Sequence, residues 1–275
     1  MSAALSYIKK DSPIHNLTGS TKFIFFFVWS LAAMLTYDTR VLIVMFFAGV
    51  IFFKMSKLTW ENIRFAVYFM LWLIVINILA LFLFAPEQGV SIYGTRTEIV
   101  HLFWRYSLVW EELFYLFNFT MKFMAVIPTA LLFILTTNPS EFAASLNKIG
   151  VSYKVGYSVA IALRYIPDVQ RDFREISQAQ QARGIDLSKK DKMVDRLKNS
   201  AAILFPLVLS SLDRIEVISN AMELRGFGKN KKRTWVVERP FKKADYIAIG
   251  IAVCAMVISM LFIFLNGGRF YNPFV

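Results

Sequence analysis

From Ser152 to Gly184 the chain reads SYKVGYSVAIALRYIPDVQRDFREISQAQQARG, and this stretch decides the architecture. Val155, Val159, Ala162, Ile166, Val169, Phe173 and Ile176 recur at alternating spacings of four and three. That is one apolar stripe on a sustained α-helix. Arg164, Asp168, Arg171, Glu175 and Gln178 fall on another face, with Arg164–Asp168 and Arg171–Glu175 spaced for intrahelical pairing. A helix from about Ser152 to Ala182, rising about 1.5 Å per residue, is an arm of roughly 45 Å. Pro167 is expected to bend or break it, and Arg183-Gly184 closes it.

The flanks extend the pattern. Downstream, a second long helix from about Asp191 to Leu224 carries Met193, Leu197, Ala201, Leu204, Val208, Ile215, Ile218 and Met222 on its stripe, has Pro206 near its middle, and ends in Leu224-Arg225-Gly226. Between Ala201 and Leu209 it is apolar on every side. That run is too short to span a bilayer and must be covered by protein or lie at the membrane boundary. Upstream, Thr137-Asn138-Pro139-Ser140-Glu141 supplies capping residues and a first-turn proline. A short helix from about Pro139 to Lys148 should follow, stopping at Gly150 and presenting Phe142, Leu146 and Ile149. The segment is therefore three helices, two of them long and crossed, apolar in the middle and polar at the tips.

Each long helix ends by placing a permanently charged guanidinium where a glycine can terminate it. A single arginine there complements the helix dipole, an effect of a few tenths of a kcal/mol. Two of them, on equivalent ends of two arms, point to contacts with other chains. The tip residues are Ala182, Arg183 and Gly184 on one arm and Leu224, Arg225 and Gly226 on the other.

The rest of the chain belongs to lipid. Hydrophobic residues make up 57% of the 275, 27 of them Phe, and mean hydropathy is +0.51. A soluble domain cannot bury that much apolar surface. Apolar runs at 23–37, 41–53, 65–85, 113–137 and 244–265 predict an all-α, polytopic membrane protein of about five transmembrane helices. The second run, with 13 residues, must borrow flanking positions to span. Three regions result: a membrane part at 1–137, a cytoplasmic coupling part at 138–243, and a last span with an external tail at 244–275.

Orientation follows from charge. Residues 138–243 hold 20 of the 31 Lys and Arg against 11 of the 19 Asp and Glu, whereas residues 86–112 hold two arginines against four glutamates. Basic segments stay inside, so the N-terminus is expected in the cytoplasm and the C-terminus outside the cell membrane. The first apolar run lacks a processing site and is expected to remain as a membrane helix. Cys254 stands alone, which excludes a disulfide framework. Lys122, inside the fourth run, reads either as a functional charge or as a snorkelling or partner-paired lysine.

Four stretches together resemble one known family: Leu135-Thr136-Thr137-Asn138-Pro139-Ser140-Glu141, Ala162-Leu163-Arg164-Tyr165-Ile166-Pro167, Ala179-Gln180-Gln181-Ala182-Arg183-Gly184-Ile185-Asp186 and Ala221-Met222-Glu223-Leu224-Arg225-Gly226-Phe227. They look like the transmembrane T component of energy-coupling factor vitamin transporters, over about a third of the chain by motif and nearly all of it by helix order. The resemblance implies a complex with two ATP-binding-cassette ATPases and a substrate-binding membrane S component. Arg183 would enter a groove of one ATPase and Arg225 that of the other, with Ala182, Gly184, Leu224 and Gly226 allowing close approach. Leu204, Phe205 and Val208 would support the S component. ATP and Mg would sit on the ATPases, and this chain would bind no cofactor. Two departures stand out. The second tip reads Leu-Arg-Gly where Ala-Arg-Gly is also common, and Thr18-Gly19-Ser20-Thr21-Lys22 replaces an amino-terminal pattern often seen in the family.

Rival readings explain less. A membrane enzyme needs a cluster of His, Cys or acidic residues at the membrane face, but the only histidines, His15 and His101, lie far apart in sequence. Gly19-Ser20-Thr21-Lys22 has the wrong order and spacing for a phosphate-cradling loop. A secondary transporter or channel would place ionisable or helix-breaking residues at mid-membrane, where the spans offer little beyond Asn77, Asn118 and Lys122. The basic run from Lys229 to Arg233 reads as an inside anchor at anionic headgroups rather than a nucleic-acid patch.

Overall fold

The computed structural model describes residues 10–103, 106–148, 150–184, 193–230, 235 and 239–274. It divides into two compact units, residues 1–138 with 239–275, and residues 139–238.

The first unit contains α1 (Gly19–Leu35), α2 (Thr39–Met55), α3 (Trp60–Phe84), α4 (Gln88–Tyr93), β1 (Glu98–Phe103), β2 (Tyr106–Val109), α5 (Trp110–Thr136) and α9 (Lys243–Leu265). Among the described residues three stretches are long and apolar enough to cross a membrane: Ile63–Phe84, Trp110–Thr136 and Lys243–Leu265. Helices α1 and α2 have 17 residues each, about 26 Å at the α-helical rise and short of a ~30 Å hydrocarbon core. Three of the described helices thus have the length of a span by themselves, and α1 and α2 are shorter apolar helices packed among them. The second apolar run does borrow its flanks: Asp38 caps α2 by accepting from the Arg40 amide, and the helix runs on through Lys54 to Met55.

Small residues let α1, α2 and α5 meet closely. Ala32, Ala33 and Ala125 are fully buried beside Trp29, Leu42 and Met45. Trp29 Nε1 donates to the Ala125 carbonyl at 3.1 Å, so the indole is satisfied inside an apolar core. A second cluster joins Ile63 and Ala66 of α3 to Leu131 and Leu135 of α5. Most of α3 remains uncovered, with Phe65, Tyr68, Phe69 and Trp72 exposed. A helix that is apolar all round and uncovered is dressed for lipid.

Lys122 is a paired lysine. It is buried, its Nζ donates to the Met34 carbonyl at 2.7 Å, and it lies 3.4 Å from the Tyr37 ring centroid. Residues 86–112 are not a plain loop. They form α4 and an antiparallel hairpin in which Glu98 faces Val109. Gly89 lets α4 touch α5, because a Cβ there would sit 2.5 Å from the Glu111 carbonyl oxygen. The C-terminal tail folds onto this same end: the Tyr37 amide donates to the Arg269 carbonyl at 2.9 Å, and Phe274 packs edge-on to Tyr93.

The second unit consists of α6 (Pro139–Lys148), α7 (Tyr153–Ala182) and α8 (Met193–Leu224). Ser152 caps α7 by accepting from the Lys154 amide, and Gly150 ends α6 region with φ +100°. Helix α7 runs unbroken through Pro167, and α8 through Pro206. The break considered at Pro167 does not occur, because the neighbouring turns keep their hydrogen bonds when proline removes one. Asp168 pairs with Arg171 at 3.3 Å rather than with Arg164, and Arg171 also reaches Glu175 at 4.0 Å. Ile149, Asp186, Asp191 and the basic residues Lys231, Lys232 and Arg233 lie outside the described residues.

Candidate docking site

Helices α7 and α8 lie antiparallel, as contacts along their length show. Phe227, just past the end of α8, packs on Tyr157 near the start of α7 with ring centroids 4.9 Å apart. Midway, Arg214 Nη2 donates to Asp172 Oδ2 at 2.7 Å, and farther along Gln180 Nε2 donates to the Ala202 carbonyl at 3.2 Å. The C-terminus of α7 and the C-terminus of α8 are therefore opposite ends of one helical pair, roughly 45 Å apart for 30-residue α7.

The two tips share a backbone solution. After α8 the Gly226 amide donates to the Glu223 carbonyl at 2.8 Å and the Phe227 amide to the Met222 carbonyl at 2.9 Å. These are the paired bonds of a Schellman motif, with Gly226 left-handed at φ +66°. After α7 the Gly184 amide donates to the Gln181 carbonyl at 3.0 Å, and Gly184 has φ +87°. In both cases arginine is the last residue before the reversal, so each arm ends in an arginine. Ala182, Arg183, Gly184 and Arg225 are exposed, and Leu224 is 90% exposed.

One face of α8 is uncovered and apolar. Leu204, Phe205 and Val208 are exposed, and Leu212 and Ile215 continue the patch, while Ile203 and Leu207 are buried. Contiguous apolar exposure of this kind is a candidate surface for protein or lipid. The structure thus puts the candidate residues in two places: arginines at the far ends, and the Leu204–Phe205–Val208 face between them.

Sequence reasoning passed over the residues that hold the arms together. Asp172 lies three positions after Val169 and four before Ile176, and Arg214 lies four before Ile218. Opposite charges on or beside the apolar stripes of two neighbouring helices were the available signal. The Thr18-to-Lys22 segment at the start of α1 is also a joint. Thr18 N donates to Asp245 Oδ1 at 2.9 Å, and Lys22 Nζ donates to the Thr136 carbonyl at 2.7 Å, so the starts of α1 and α9 and the end of α5 are tied together.

Comparison with known proteins gives this geometry a family. The model of the CbiQ family, described as cobalt transport protein, matches residues 10–235. The chain is 32% identical over 167 residues to the energy-coupling factor transporter transmembrane protein EcfT of Clostridium kluyveri, covering 58% of this chain and 62% of that protein. It is 29% identical to the protein of the same name from Exiguobacterium sibiricum, over 54% of this chain and 58% of that one. The chain thus matches less than two thirds of the length of either relative. A third EcfT, from Lacticaseibacillus paracasei, is 25% identical over 89% of this chain and 92% of its own length. With the family match extending from the amino-terminal turn through both arms, the chain belongs to the CbiQ family of cobalt transport proteins, as an EcfT-type transmembrane component.

Proposed function

We propose that the chain is the coupling subunit of an energy-coupling factor importer. It catalyses nothing itself and transmits the motion of two ATP-binding-cassette ATPases, which hold ATP and Mg, to a substrate-binding membrane S component for vitamin or micronutrient uptake. Arg183 docks on one ATPase and Arg225 on the other. The face built from Leu204, Phe205 and Val208 supports the S component. Burying three such side chains contributes about 1.5–3 kcal/mol each before association costs are subtracted, enough for a reversible contact.

The observation that carries this reading is the matched pair of tips: two exposed arginines, each set at a helix end by a left-handed glycine, on opposite ends of one antiparallel pair. Such a bar contacts two copies of a similar surface at once. The proposed orientation is N-terminus inside and C-terminus outside the cell membrane, with residues 139–238 cytoplasmic. It is supported by the ends of the first unit. Lys10, Lys54, Lys57, Lys242 and Lys243 lie at the end where α1 and α9 start and α2 stops, while Glu87, Glu98, Glu111 and Glu112 lie at the other together with Arg40, Arg96 and Arg269. Purification in mild detergent, with mass identification of every retained chain, tests the assignment. ATPase subunits in the complex support it, and a solitary protein that transports by itself would point to a secondary transporter.

A further inference from the structure

An apolar groove of about 220 Å³ opens at the basic end of the first unit, between α1, α2, α5 and α9. Its length is walled by Phe25, Phe52, Leu132, Ile247 and Ile251, and its end is marked by Lys22 and Thr136. From Ala244 to Ile251 the groove follows α9 for about 10 Å, within the ~15 Å depth of one leaflet's hydrocarbon. A second apolar groove shares Ile251 and continues between α1, α2 and α9.

The polar end holds an unusual ammonium. Lys22 is 5% exposed, and its Nζ donates to the carbonyls of His15 at 3.2 Å and Thr136 at 2.7 Å. A third N–H remains, and among the described residues no carboxylate lies within ion-pair distance of it. Asp245 is close enough to be felt, but its oxygens accept from the Thr18 and Lys242 amides. More cations stand at the ends of the lining helices. Lys57 follows Met55, and Lys242 and Lys243 precede Ala244; all three are exposed. Lys10 Nζ donates to the Lys57 carbonyl at 2.9 Å, bringing in the segment whose Ile14 and Leu17 complete the wall.

A cationic rim over an apolar slot matches one ligand chemistry, a phosphate joined to a hydrocarbon chain. We propose that the groove binds one anionic phospholipid of the adjoining leaflet. Its phosphate sits at the rim of Lys22, Lys57 and Lys243, and one acyl chain lies along Phe25 and Ile251. A transmembrane helix is about 10 Å across with its side chains and does not fit a slot of this volume. Free phosphate would leave the apolar walls unused.

The test is native mass spectrometry of the full-length protein after exchange into equal amounts of phosphatidylglycerol and phosphatidylcholine with identical chains. The wild type should retain one phosphatidylglycerol, several-fold in preference to phosphatidylcholine, and millimolar inorganic phosphate should not displace it. Ala248→Trp fills the slot without touching a cation and should abolish retention. Lys57→Glu with Lys243→Glu leaves the walls intact and should bring the two lipids near parity. Equal retention of both lipids by the wild type, undiminished retention by Ala248→Trp, or displacement by phosphate would overturn the proposal. Should Ala248→Trp not fold, an unchanged lipid ratio in the double lysine variant overturns it alone.

Discussion

Arg214 Nη2 meets Asp172 Oδ2 at 2.7 Å and clasps α7 to α8 at mid-length, with the arginine side chain 34% and the aspartate 17% exposed. A partly buried, charge-assisted hydrogen bond of this kind contributes about 1.5–3 kcal/mol. Arg214→Ala and Asp172→Ala should each loosen the arms by an amount of that order, and together cost little more than either alone. A double-mutant cycle on limited-proteolysis midpoints measures this. Strictly additive losses would show that the two groups do not hold the arms through each other.

Gly156 marks a close approach of α6 and α7. A Cβ at that position would lie 3.0 Å from the Ala143 carbonyl oxygen and 3.2 Å from the Trp235 ring. Replacing an ordinary helical glycine with alanine gains up to about 1 kcal/mol in helix propensity. Here overpacking, typically about 1–3 kcal/mol, opposes that gain and grows with side-chain size. Gly156→Leu is expected to destabilise the second unit by at least ~2 kcal/mol. Faster proteolysis within residues 139–238, with membrane insertion unchanged, is the expected readout.

Asp38 contributes to the pH dependence of stability at the tail-bearing end. Burial pushes its carboxyl up, but donors outweigh that: Arg40 Nη2 at 2.9 Å, Asn266 Nδ2 at 2.7 Å and the Arg40 amide at 3.0 Å hold it below the usual carboxylate range. A depressed folded value means the stabilisation is present above the unfolded value, about 3.9, and is lost as pH falls through the folded one. Asp38→Asn should lower the melting temperature in detergent at pH 7. The gap from wild type should be flat between about pH 5 and 8 and close below about pH 4.

How much of this was legible in the sequence differs by region. The arms were, because Val155 through Ile176 repeat a helical period without interruption, Ser152 caps the start of α7, and the left-handed Gly184 and Gly226 follow the ends of α7 and α8. The hairpin at residues 98–109 was not: its strands are short, and its anchor is the distant Glu111 carboxylate, which accepts from the Thr97 amide at 3.1 Å. The joint at Lys22 was equally hidden, since its partner carbonyl at Thr136 is 114 positions away. The placement of Arg183 and Arg225 at helix ends could be read from spelling and spacing. The Asp172–Arg214 clasp needed the antiparallel register that only tertiary packing supplies.

Topology can be read directly. After Cys254→Ser, a cysteine introduced at exposed Gln178 in α7 should resist an impermeant thiol reagent added outside intact cells, and one at exposed Ser91 in α4 should react. Reaction at Gln178→Cys with protection at Ser91→Cys would invert the assigned orientation.

The arginine tips decide the coupling role. If each guanidinium pairs with carboxylates in a largely desolvated groove, Arg183→Glu or Arg225→Glu removes a pair and adds repulsion, costing on the order of several kcal/mol at that contact. One surviving contact can still hold part of the complex by effective concentration, while losing both should release it. Helix-dipole complementarity alone would cost a few tenths of a kcal/mol and leave assembly intact. The decisive measurement is ATPase co-purification and ATP-dependent uptake in liposomes for both single variants and the double variant at matched expression. Each single variant should be crippled in uptake, and the double variant should also lose its ATPases; full assembly and full uptake by the double variant would contradict the coupling role of these residues.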